Sequence, residues 1–139
     1  MEKIQFDSGV RSYELGSGVL RFNPADPNLF ARFMEAQEKI CQVEQQLLQQ
    51  AQSLPQDGEN ALQLLQQADK ELKAIFSWVF GGDNDFDRLL GGVNLLATGK
   101  NGQRVVSNLL SALQPILLSG AESCVREKVA KARKPRSVQ

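Results

Sequence analysis

The sequence predicts an α+β fold that is mostly α, with a short N-terminal β-hairpin or meander packed on a bundle of three to four helices. Three observations carry that prediction. Strand-like alternation is confined to the residues before Pro24. Beyond it, apolar residues recur at steps of three and four. Glycine and proline clusters cut this second stretch into helix-length pieces. The expectation is one domain over residues 1–139, with a hairpin region at 1–23, a helical region at 26–132 and a basic, disordered tail at 133–139.

In the hairpin region, Ile4-Gln5-Phe6 alternates, Ser8-Gly9 offers a turn, and Tyr13 and Leu15 lead through Gly16-Ser17-Gly18 to Val19-Leu20-Arg21-Phe22. Two or three short strands are predicted. A sheet this small is marginal alone, so its apolar face should rest on helices. Asn23-Pro24-Ala25-Asp26-Pro27 ends it, because proline cannot donate to a ladder and disfavours helical geometry in the residue before it.

Asp26 or Asn28 can cap the next helix, with Pro27 suited to its first turn. This helix should run to Ser53, with Phe33, Ala36, Ile40, Val43, Leu47 and Leu54 on one stripe and glutamines elsewhere. Leu54-Pro55-Gln56-Asp57-Gly58 breaks it, and a second helix starts near Glu59, with Ala61, Leu65, Ala68, Leu72, Ile75, Phe76 and Val79 inward. Gly81-Gly82 closes that one. Asp83-Asn84-Asp85 can cap a short helix through Phe86, Leu89 and Leu90, closed by Gly91-Gly92. After the Thr98-to-Gly102 turn, a last helix should reach about Ala132, kinked at Pro115 where a backbone donor is missing.

The chemistry available is narrow. The chain has no histidine, which removes the commonest general base and the commonest neutral metal ligand. Asp83, Asn84, Asp85 and Asp87 imitate the start of a calcium loop. The sixth position, however, is Arg88 where glycine is required, and the twelfth is Asn94 where a bidentate glutamate belongs. Gly99-Lys100 lacks both the earlier glycine and the following Ser or Thr of a phosphate loop, and Gly16-Ser17-Gly18 opens no helix. No catalytic residue, metal site or cofactor is predicted.

Formal net charge is zero, yet Arg126, Lys128, Lys131, Arg133, Lys134 and Arg136 face only Glu127 in the last stretch. Such a tail can neutralise phosphates, but it equally suits a helix C-terminus followed by a solvated end. Nucleic acid is therefore not the expected partner. No apolar run is long enough to span a bilayer, and Met1-Glu2-Lys3-Ile4 has no signal-peptide character, so a cytoplasmic protein with Cys41 and Cys124 reduced and partly buried is expected. Most of the stripe on the first long helix is expected to be core packed on the second and last helices. Its glutamine cladding nevertheless lets it approach another helix without like-charge repulsion, which fits binding another protein.

Two segments carry a resemblance to a known family. One runs from Leu20 to Phe33, with its Phe22-Asn23-Pro24 turn and the aromatics Phe30 and Phe33 opening a helix. The other runs from Phe80 to Gly92, with its Phe80-Gly81 break before a short helix. Together they resemble the tail assembly chaperones of phages and prophages from Gram-positive bacteria. That resemblance implies a non-enzymatic protein that binds the long, hydrophobic tape measure protein in the bacterial host cytoplasm and keeps it soluble during tail assembly. It also leaves room for a homo-oligomer. By hydrophobicity and position, the candidate contact residues are Phe30, Phe33, Ile40, Val43 and Leu47. Two other binding roles remain open: a phage-encoded inhibitor of a bacterial defence protein, and a nucleic-acid-binding accessory protein acting through the basic tail.

Overall fold

The computed structural model describes residues 1–53 and 58–133, with side chains as far as Lys131. Within them the chain forms a two-stranded antiparallel hairpin followed by four helices, so the α+β, mostly α class holds. Strands β1 (Arg11–Leu15) and β2 (Gly18–Phe22) pair with Tyr13 opposite Leu20 and Leu15 opposite Gly18. Two residues make the turn. Gly16 has φ +59° and Ser17 has no positive φ, the pattern of a hairpin turn with glycine at its first central position. One face carries Leu20 and Phe22 into the core, and Tyr13 stacks on Phe22 at 4.8 Å between ring centroids.

The predicted strand at Ile4-Gln5-Phe6 does not form. Residues 1–10 have no regular structure, and Ile4 is 89% exposed. Alternation specifies a face for a strand but supplies no neighbour to pair with. The sheet is therefore a hairpin and not a meander. Asn23 pins the root of this arm by donating from Nδ2 to the Ser8 carbonyl at 3.0 Å.

Helix α1 (Pro27–Ser53) starts under Asp26, whose carboxylate accepts from the Asn28 N–H at 2.9 Å. Helix α2 (Gly58–Phe80) runs back along it: Arg32 Nε donates to the Val79 carbonyl at one end, and Val43 and Leu47 lie beside Leu64 and Ala68 toward the other. The residues of the predicted break at 54–57 lie outside the described residues. Helix α3 (Phe86–Leu89) is capped by Asp85, as the sequence suggests, and Gly91 and Gly92 close it at positive φ by donating to the Arg88 and Asp87 carbonyls.

Helix α4 (Val105–Arg133) lies antiparallel to α1. Arg104, just before it, pairs with Glu44, while Gly120 meets Pro24, just before α1. Pro115 sits on its exposed side and the helix continues through it. Residues 134–139, most of the predicted tail, lie outside the described residues. The core sits where the hairpin and the four helices converge, with Phe22, Phe33, Phe76, Phe86, Leu95 and Leu117 among its buried side chains. Phe80 touches both Phe22, edge-on at 4.9 Å, and Phe86, at 5.6 Å, and so joins hairpin, α2 and α3 in one cluster. Cys124 is half-buried but Cys41 is exposed, against the expectation of two partly buried thiols. No described helix is long and apolar enough to cross a membrane.

Candidate protein-binding surface

The stripe proposed for binding divides in the structure. Phe33 and Ile40, at 1% and 4% exposure, are core residues and are not free to meet a partner. They were chosen because periodicity identifies the apolar face of a helix, but not whether that face meets the chain's own body or another molecule. Phe30, Val43 and Leu47 are half-buried, and Phe30 and Val43 pack against the edge of the core.

Leu47 belongs to a region where α1 and α2 outrun α4, and Val43 stands at its border with the core. Because Arg104 pairs with Glu44, the last nine residues of α1 extend past the start of α4. The paired helices there expose Leu48 at 64% and Leu62 at 61%, with Leu65 less so. Gln46, Gln50 and Gln67 stand beside Leu47 and Leu64 in the shallow depression between the two helices. Leucines interspersed with uncharged amides make a surface that costs less to desolvate than a charged one when another helix covers it. Leu48 and Leu62 were absent from the sequence-based candidates. Leu48 lies one residue off the chosen stripe, and nothing local reveals that the body stops short of it.

Phe30 belongs to a different place. It lines an apolar groove of about 660 Å³ with Pro27, Leu118, Ala121, Glu122, Val125 and Arg126, at the opposite end of α1. A second cavity of similar size lies beside Lys73 and is lined by Asp69, Ser77, Asp85 and Asp87 among others. Lys73 and two of the cavity's aspartates satisfy one another. Lys73 Nζ lies 2.8 Å from Asp69 and 2.6 Å from Asp87, and the other Asp69 oxygen accepts from the Leu95 N–H at 2.8 Å. Burial opposes the charge on Lys73, but its hydrogen bonds and Coulombic attraction to the two aspartates outweigh it and hold the ammonium above the ordinary lysine range.

In the Asp83-to-Asp87 cluster, Asn84, Asp85 and Asp87 serve structure, while Asp83 is exposed. Asp85 caps α3, Asp87 pairs with Lys73, and Asn84 is buried against β2. Among the described residues no buried side-chain nitrogen or oxygen lacks a hydrogen-bond partner. Exposed apolar side chains gather at the end of the α1–α2 hairpin and at the groove beside Phe30. No family model matches the chain, and no curated protein or solved structure matches it either.

Proposed function

We propose that this protein is a non-enzymatic chaperone that covers an apolar helical segment of another polypeptide, with the tape measure protein of a phage tail as its client in the host cytoplasm. The observation that carries the reading is the overhanging end of the α1–α2 hairpin, where Leu48 and Leu62 stand exposed on helices clad in glutamine. An amphipathic client helix laid there would bury apolar area worth about 25 cal/mol per Å². Neutral amides suit a client whose charge pattern varies along its length, because none of them repels a passing side chain. The choice of client rests on the resemblance of the Leu20-to-Phe33 and Phe80-to-Gly92 segments to tail assembly chaperones.

The test is co-expression with a tagged tape measure segment. Recovery of that segment in soluble form together with this chain is the expected result. A segment that stays insoluble, or purifies free of this chain, overturns the reading.

A further inference from the structure

The apolar side chains of α4 lie on two different faces. Val106, Leu109, Leu113 and Leu117 are buried against the body at spacings of three and four. Continued past Leu117, that row becomes Gly120, which meets the Pro24 backbone, then half-buried Cys124, and finally the exposed Glu127 and Lys131, so no large apolar side chain extends the buried face. The remaining apolar residues, Leu118, Val125 and Val129, follow at steps of seven and four on a row rotated by about 100°. All three are exposed, Val125 at 60%. Leu118 and Val125 face away from the protein's own core and form one wall of the groove whose other wall is Phe30 and Pro27, and Val129 continues their row beyond it.

The charges at this groove identify an occupant. Glu122 and Arg126 both line it, one helical turn apart, and neither makes an ion pair among the described residues. The surface is thus self-complementary under a two-fold axis. If a second α4 runs antiparallel with the axis near residue 124, Glu122 faces Arg126 of the partner subunit, and the reciprocal pair forms on the other side. Leu118 then lies beside Val129 of the partner subunit, and the two Val125 side chains flank the axis, so the apolar row meets its own copy. We propose that the C-terminal half of α4 is a homodimer interface, closed by an antiparallel α4–α4 pairing with Phe30 at its edge.

An isologous contact makes a distinctive demand on charge reversal. Glu122→Arg alone places four cations at the axis, and Arg126→Glu alone places four carboxylates there. The double variant restores both pairs. The experiment is sedimentation equilibrium of the full chain, whose monomer is 15.4 kDa. The expected result is a dimer whose dissociation constant rises at least about tenfold in each single reversal and in Val125→Asp. It should return to within about threefold of the parent in Glu122→Arg/Arg126→Glu. Helical circular dichroism should be unchanged throughout, since all three positions are exposed. A chain that stays monomeric up to about 100 µM overturns the proposal. So does a dimer indifferent to Val125→Asp, or one that the double reversal fails to restore. Because the overhanging α1–α2 end is untouched by these changes, loss of the dimer and loss of client binding are separable.

Discussion

The side-chain amide of Asn84 pairs with both backbone polar groups of Arg21. Its Oδ1 accepts from the Arg21 N–H at 3.1 Å, and its Nδ2 donates to the Arg21 carbonyl at 2.9 Å. Nδ2 also donates to the Phe80 carbonyl at the end of α2, and the Asn84 carbonyl accepts from Ser77 Oγ. One buried amide therefore acts as a third strand one residue long, joining β2 to the end of α2. Asn84→Asp keeps the shape but removes the donor and places a carboxylate against two carbonyls. The expected loss is about 2–3 kcal/mol of unfolding free energy, read by urea denaturation. A loss below about 0.5 kcal/mol would remove the amide from this role.

Lys73 ties α2 to α3 through Asp87 and pairs with Asp69 one turn back on its own helix. Lys73→Met leaves Asp69, itself largely buried, without its cation, and should cost about 2–3 kcal/mol; the exposure of Asp87 holds the figure below that of a fully buried pair. The same contact has a pH signature. Since the folded state holds the lysine above its ordinary value of 10.5, its contribution is complete below about pH 10 and is lost as pH rises through the raised value. The stability difference between the parent and Lys73→Met should therefore be flat from neutral pH to about 10 and shrink above it. A difference that grows with alkalinity would contradict the assignment.

Gly120 is the point of closest approach between α4 and the turn before α1. A Cβ there would collide with the Pro24 carbonyl, backbone that cannot swing aside. Gly120→Ala would add helix propensity in isolation but here should destabilise by about 2–3 kcal/mol, seen as a lowered thermal midpoint. A raised midpoint would mean that the two segments do not meet.

The two groups of apolar residues on α1 should respond in opposite ways. Phe33→Ala empties a core site and should cost about 3–5 kcal/mol. Leu48→Glu, on an exposed position of the same helix, should change stability by no more than about 0.5 kcal/mol. Denaturation curves of the two variants make the comparison, and similar losses would erase the distinction between core and overhang.

Much of the architecture was legible in the sequence because it rests on local chemistry. Asp26 and Asp85 cap their helices, Gly91-Gly92 closes α3, and the Gly16-Ser17 turn pairs the hairpin as its residues require. What was hidden depends on contacts far apart along the chain. Asn84 looked like part of a capping cluster, and only its separation of 63 residues from Arg21 in a closed fold makes it a strand substitute. Gly120 stood inside a helical pattern with no visible reason for lacking a side chain. The stripe through Phe33, Ile40, Val43 and Leu47 was correct as periodicity. Its division into core and half-exposed overhang depends on where α4 begins, which the spacing on α1 cannot encode.

Whether the overhanging end of the α1–α2 hairpin holds a client helix is decided by paired co-expression. A tape measure segment is produced with the parent chain or with Leu48→Glu/Leu62→Glu, and its soluble fraction is measured. The parent should hold most of the segment in solution, and the variant, folded and equally abundant, should reduce that fraction at least about tenfold. Equal solubilisation by parent and variant would contradict client binding at that end.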